Sequence, residues 1–163
     1  MVIETTGRIE IRRMTERDLD EVMQIEQRSF PTPWSRRLFE RELLLPYAQA
    51  FVALEIPPHE VVGYICFWLV DQETHILNLA AHPERRRRGI GSRLLRYGVN
   101  YCGEKGAQEI TLEVRRSNYQ AISLYRNFQF QPQGIRPHYY SDSGEDAVIM
   151  SLRLVDQTQA TLT

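Results

Sequence analysis

ILNLAAHPERRRRGIGSRLL, residues 76–95, joins a strand pattern to a helix pattern through a basic, glycine-containing turn. It opens as an apolar run rich in β-formers, crosses His82-Pro83, and passes through a basic turn closed by Gly89 and Gly91. It then continues as SRLLRYGVNYCGEKG, where Leu94, Leu95, Val99 and Cys102 recur at helical spacing. The pattern predicts a strand ending at Ala81, a short turn, and a helix that stops near Gly103 or Gly106. Such a junction carries its own chemistry. Glycines let backbone approach a ligand closely, and the first amides of a helix have no partner within it, so they can donate to phosphate oxygens. Arg86, Arg87 and Arg88 add charged donors. The turn therefore reads as a pyrophosphate cradle. It is not a P-loop, because no Gly-Lys-Ser/Thr follows, and not a dinucleotide fingerprint, because Leu94 stands at the third glycine position.

Upstream, RIEIRRM from Arg8 to Met14 alternates in polarity and predicts a strand. Thr15, with Asp18 three residues on, is placed to start a helix whose apolar face is Leu19, Val22, Met23 and Ile25. Phe30-Pro31-Thr32-Pro33-Trp34 breaks that helix, and Ser35 caps a second one carrying Leu38, Phe39 and Leu43. AQAFVALE at 48–55 and VVGYICFWLV at 61–70 read as a hairpin turned at Pro57-Pro58, and THILNLAA at 74–81 continues the sheet. Downstream, ITLEV at 110–114 is a strand with Ile110, Leu112 and Val114 on one face and Thr111 and Glu113 on the other. Asn118 caps a helix bearing Ala121, Ile122, Leu124 and Tyr125, and two strands follow about a Ser-Asp-Ser-Gly turn. The order is strand, two helices, three strands, helix, strand, helix, two strands. It gives one mixed α/β domain over 8–154, with flexible ends at 1–7 and 155–163.

Composition narrows the function classes. The 163 residues suit one domain, and 42% hydrophobic with 25% charged residues is the balance of a soluble globular protein. Lys plus Arg is 20 against 21 Asp plus Glu, so nothing global draws the chain to nucleic acid or to an anionic membrane. Within that balance Lys105 is the sole lysine, and four arginines are consecutive at 85–88. Arg85, ahead of the glycine motif, is expected to face only solvent. MVIETTGRIEIRR lacks the apolar core of a signal peptide and the longest apolar run is too short to span a bilayer, so a cytoplasmic protein is expected. Cys66 and Cys102 form no disulfide framework, and the four histidines are scattered, so no metal is expected.

Residues 76–95 resemble the acetyl-CoA-binding motif of the GCN5-related N-acetyltransferases (GNAT), whose Arg/Gln-x-x-Gly-x-Gly/Ala core is written here Arg86-Arg87-Arg88-Gly89-Ile90-Gly91. LEVRRSNYQAISLYRNFQF at 112–130, HYYSDSGEDAVIMSL at 138–152 and SFPTPWS at 29–35 extend the likeness over nearly the whole domain. They resemble the RimI-type ribosomal-protein alanine N-acetyltransferases. The resemblance implies a mixed, mostly antiparallel central sheet flanked by about four helices, acetyl-CoA as co-substrate, and no metal. Its implied acceptor is a protein N-terminus, the alanine of a small-subunit ribosomal protein. By the same resemblance Leu79, Ala80 and Ala81 offer backbone groups to the pantetheine arm and the acetyl carbonyl. Arg86, Arg87, Arg88, Gly89, Ile90, Gly91 and Ser92 hold the pyrophosphate, and Asn118 lies near the cofactor. Glu113 matches the general base and Tyr125 the general acid. Tyr139 and Tyr140 match an aromatic pair near the peptide, with Trp34 a candidate wall of the acceptor site.

The chemistry asks for such parts. An α-amine of pKa ~8 is mostly protonated at neutral pH, so a carboxylate must take a proton, directly or through water, before nitrogen attacks the thioester. Strand-end amides can face the oxyanion. A thiolate whose thiol has pKa about 8.5 leaves tolerably unaided, so Tyr125 should help without being indispensable. On the residues alone, Glu113 is also an ordinary strand-face carboxylate, Tyr125 a core-edge tyrosine, and Trp34, Tyr139 and Tyr140 packing groups. Competing functions are a small-molecule amine as acceptor, a non-catalytic acyl-CoA module, and nucleic-acid binding by the arginine run. Retention of Glu113 and Tyr125 argues against the module, and the modest overall basicity argues against nucleic acid. A covalent route through Cys66 or Cys102 is disfavoured because neither lies in the matching site blocks.

Overall fold

The computed structural model describes residues 7–154. Its elements are β1 (Arg8–Arg13), α1 (Leu19–Ser29), α2 (Arg36–Leu44), β2 (Ala48–Ile56), β3 (Glu60–Val70) and β4 (Glu73–Ala81). They continue as α3 (Ile90–Glu104), β5 (Glu109–Arg115), α4 (Tyr119–Asn127), β6 (Gln131–Tyr140) and β7 (Glu145–Arg153). Single 3-10 turns lie at Glu16–Asp18 and Pro83–Arg85. The element order is the one that the sequence predicts. The ends expected to be flexible lie outside the described residues, apart from Gly7. A Cβ at Gly7 would stand 2.5 Å from the Pro57 carbonyl oxygen, so that residue is packed.

Local chemistry sets the boundaries. The Thr15 N–H donates to Asp18 Oδ2 at 2.7 Å, and Arg12 reaches the same carboxylate with two bonds of 2.8 Å. Ser35 Oγ accepts from the Leu38 N–H at 3.2 Å, and Asn118 Oδ1 from the Ala121 N–H at 3.2 Å, each satisfying an amide that the helix cannot. At the far end of α3, Gly106 takes a φ of +86° and lets the Ala107 N–H return to the Cys102 carbonyl at 2.9 Å.

The strand order is β1-β2-β3-β4-β5-β7-β6. The β1/β2, β5/β7 and β6/β7 pairs are antiparallel, whereas β4 and β5 pair parallel, Glu73–His75 against Glu109–Thr111. A parallel pair needs a crossover, and α3 makes it.

The described chain packs as two units. In the first, residues 7–66 and 78–95, the predicted faces of α1 and α2 close on β2 and β3 through Leu19, Val22, Ile25, Phe39, Val52 and Tyr64, all buried. Gly63 lets α3 approach: a Cβ there would lie 2.9 Å from both Ile90 Cγ2 and Leu94 Cδ1 and 3.0 Å from the Ala80 carbonyl oxygen. Gly63→Ala is therefore expected to cost about 1–3 kcal/mol of stability by overpacking, read as a lower urea midpoint at unchanged slope. In the second unit, residues 67–77 and 96–154, Ile110, Leu112 and Val114 are buried on one face of β5, with Met150 of β7 opposite Leu112 on that face. β6 is the edge strand, exposed from Gln131 through Tyr139.

Candidate active site

The first unit carries the turn that the sequence marks as an anion cradle. β4 ends at Ala81, and the His82 N–H closes on the Val62 carbonyl at 2.8 Å before α3 starts at Ile90. Leu79 and Ala81 are half-buried and Ala80 is buried, just before the turn. Gly89 has φ +76°, a conformation that suits glycine, and a Cβ there would meet nothing within 4 Å, so the turn faces open space. The first helical bond joins the Arg93 N–H to the Gly89 carbonyl at 3.0 Å. The amides of Ile90, Gly91 and Ser92 are left directed out of the helix end. Free amides, the positive helix terminus and open approach fit a phosphate-bearing group.

The four arginines do not act alike. Arg86 and Arg87 are exposed, Arg86 with Nη2 3.4 Å from Ser29 Oγ. Arg88 donates to both oxygens of the buried Glu55, at 2.8 and 3.3 Å. Arg85 donates to Glu55 at 2.9 Å and to Glu60 at 3.2 Å. These guanidiniums, Arg88 first, hold the Glu55 carboxyl below the ordinary carboxylate range. One expectation is corrected: Arg85 does not face solvent alone, since it is engaged by Glu55 and Glu60. A run of like charges lowers its self-repulsion by engaging nearby carboxylates, and β2 and β3 supply them.

The second unit carries Glu113 and Tyr125, the residues expected to act as base and acid. Glu113 Oε2 lies 2.6 Å from His75 Nε2, and Oε1 lies 3.4 Å from Arg136 Nε. The ring Nδ1 of His75 is 3.3 Å from Thr111 Oγ1. Register explains the meeting: β4 places His75 opposite Thr111, two residues before Glu113 on the same face of β5. The His75 hydrogen bond, with Arg136 adding to it, holds the Glu113 carboxyl below the ordinary range despite partial burial. Glu113 is therefore ionised at neutral pH. By itself it is a weak base toward an ammonium of pKa ~8. With the imidazole in contact, a proton removed from an amine can rest on the pair as imidazolium beside carboxylate. His75 is absent from the residues picked out in the sequence. Its one sequence signal is alternation, which puts it on the strand face shared with Leu77 and Leu79.

Tyr125, on α4, is buried with its ring 5.6 Å from Phe130. Burial, with Tyr140 nearby, pushes its hydroxyl above the ordinary phenol range, so the proton stays on oxygen at working pH. Tyr139 and Tyr140 meet edge to face at 5.1 Å. The Arg115 guanidinium stacks 4.0 Å over the Tyr140 ring and is held by Asp142 at 2.7 and 3.0 Å. The Tyr140 hydroxyl is pushed up to about 12, mainly by burial, and it feels Glu113 as well. Glu113, Tyr125, Tyr139 and Tyr140 thus share a neighbourhood in the second unit. Tyr139, 49% exposed, is the ring of the pair open to an acceptor.

Other expected site residues have structural employment. Asn118 uses Oδ1 as the α4 cap, which leaves Nδ2 for a ligand. The Trp34 ring packs 5.1 Å from Phe39, and its backbone N–H donates to Glu26 at 3.0 Å. Glu26, unnoticed in the sequence, is a buried carboxylate that also accepts from the Tyr64 hydroxyl and from Asn78 Nδ2. Burial pushes its carboxyl up against the pull of those three donors. Both cysteines are buried, and burial pushes the Cys102 thiol up to about 11 and the Cys66 thiol higher still. Among the described residues no cluster of His, Cys, Asp and Glu could hold a metal ion, and no helix is long and apolar enough to cross a membrane.

Comparison with known proteins gives the family and supports the fold. Residues 19–130 match the model of the acetyltransferase (GNAT) family. A candidate ribosomal protein bS18-alanine N-acetyltransferase of Bacillus subtilis is 44% identical over 86% of this chain and 92% of its own length. The ribosomal protein bS18-alanine N-acetyltransferase of Escherichia coli K12 is 31% identical over 83% of this chain and 90% of its own. The crystal structure of the ribosomal-protein-S18-alanine N-acetyltransferase from Escherichia coli superposes with a TM-score of 0.82 at 30% identity. It covers 90% of this chain and 94% of that one.

Proposed function

The chain belongs to the acetyltransferase (GNAT) family, and from that membership we propose that it acetylates the α-amine of a protein N-terminus, the alanine that opens a small-subunit ribosomal protein. The observation that carries this reading is the ionised Glu113 carboxylate in contact with His75. It is a proton acceptor at a position that reaches solvent, since the His75 side chain is 37% exposed.

Acetyl-CoA supplies the thioester carbonyl and the thiolate leaving group. The amides of Ile90, Gly91 and Ser92, with Arg86 and Arg87 beside them, bind its phosphates, and the backbone of Leu79, Ala80 and Ala81 orients its arm and faces the oxyanion. Glu113 with His75 receives the ammonium proton, which frees the nitrogen to attack. Tyr125 donates its hydroxyl hydrogen toward the departing sulfur. Transfer is direct, without an acetylated cysteine. Cys66 and Cys102 are buried with their thiols pushed up, and thiolate is the form that attacks.

Initial rates with acetyl-CoA over a panel of acceptors test the reading. The panel holds a peptide opening with alanine, the same peptide with a blocked N-terminus and an internal lysine, a polyamine and free alanine. Turnover confined to the free alanine N-terminus is expected. Faster turnover of the polyamine would move the chain to the small-amine acetyltransferases.

A further inference from the structure

Arg136 sits on the edge strand β6, yet its Nε lies 3.4 Å from Glu113 Oε1 on β5. Register makes this possible. Gly134, Ile149 and Glu113 form one row across β6, β7 and β5, and Arg136, Ala147 and Arg115 form the row two residues on, so Arg136 and Glu113 share a face of the sheet. Ala147 between them is small. The two Glu113 oxygens have separate neighbours, His75 at Oε2 and Arg136 at Oε1.

The guanidinium is loosely held. Its 3.4 Å approach is long for a charged hydrogen bond, and its carbon lies 6.0 Å from the centre of the Tyr139 ring, at the outer edge of a cation–π contact. Its Nη1 and Nη2 hydrogens bond to no group among the described residues, and the side chain is 54% exposed. A forked donor beside the proton-accepting carboxylate thus has its fork open.

We infer that Arg136 is a specificity-determining residue that donates to the first backbone carbonyl of the acceptor, so that Glu113 and Arg136 together recognise an α-amino carbonyl and not an amine alone. This rests on the N-terminal acetylation proposed above. In any peptide the α-nitrogen and the carbonyl oxygen of the same residue are three bonds apart and lie about 3 Å from each other, a little more or less with the torsion about Cα–C. That span matches the gap between Glu113 Oε1 and Arg136 Nε. An ammonium resting on the free side of Oε1 brings its own carbonyl to the guanidinium, which offsets the repulsion between the two cations. A lysine ε-amine carries no oxygen within that reach, so it meets the repulsion without the compensation.

The test is a double-mutant cycle in kcat/KM. It pairs wild type and Arg136→Gln with an alanine-first peptide and with the same peptide bearing an (E)-alkene in place of its first amide. Removing a hydrogen bond from a charged donor should cost the amide peptide about ten- to a hundredfold, chiefly in KM, and the alkene peptide far less. Arg136→Lys, which keeps the charge and loses the fork, should fall between. Equal losses on both peptides would make Arg136 a mere support for Glu113 and overturn the inference, as would no loss on either. Failure of the wild type to acetylate the amide peptide at all would overturn the proposed function and the inference with it. Turnover without coupling overturns the inference alone.

Discussion

Glu113→Gln is expected to lower kcat for an alanine-first peptide by about a hundred- to ten-thousandfold, the usual worth of a positioned base, with the Kd for acetyl-CoA unchanged. The amide keeps the shape of the side chain and a partner for His75 Nε2 but loses the charge that steadies an imidazolium. Residual activity belongs to His75 and to solvent. The sign of the pH dependence follows from the depressed carboxyl. The favourable ionised state of Glu113 is fully present above the ordinary carboxylate pKa and is lost only as pH falls through the lowered folded value. Glu113 therefore contributes no limb to kcat/KM near neutrality. The rate should climb toward pH ~8 as the acceptor amine loses its proton. A pH–rate profile with stopped-flow binding controls separates these effects, and an acetyl-CoA Kd that rises in step with the loss of kcat would remove Glu113 from the proton path.

Tyr125→Phe is expected to lower kcat about ten- to a hundredfold, the lower part of the range for acid–base assistance, with little change in acetyl-CoA affinity or stability. The ring packs on Phe130, which phenylalanine reproduces, and the hydroxyl makes no hydrogen bond among the described residues, so its removal strands no partner. The raised hydroxyl pKa keeps a proton on Tyr125 and makes it a steady hydrogen-bond donor to the sulfur rather than a complete acid. A better leaving thiol should therefore shrink the defect. Isothermal titration with acetyl-CoA beside single-turnover rates reads both quantities, and a weakened Kd at unchanged single-turnover rate would recast Tyr125 as a binding residue.

Much of this was legible in the chain. Period-two burial at Ile110, Leu112 and Val114, the Ser35 and Asn118 caps, and the glycine turn before Ile90 are local signals, and local physics decides them. What could not be read is what strand pairing brings together. His75 meets Glu113 from 38 residues away through a parallel register set by the α3 crossover, and Arg136 reaches the same carboxylate from an edge strand by way of β7. The partners of the arginine run are hidden for a related reason. Its charge stands out in sequence, whereas the carboxylates that engage Arg85 and Arg88 lie on β2 and β3 and look ordinary there. Glu26 was hidden by its polarity, which reads as solvent-facing until Trp34, Tyr64 and Asn78 are seen to surround it.

The acetyl group is expected to go to an N-terminal α-amine under the control of Glu113. Tandem mass spectrometry of an alanine-first small-subunit ribosomal protein, after incubation with acetyl-CoA and either wild type or Glu113→Gln, tests it most directly. Acetyl on the first residue is expected with the wild type, a strongly reduced yield with the variant, and unmodified lysines with both. Acetyl on lysine side chains, or equal N-terminal yields from the two enzymes, would contradict that expectation.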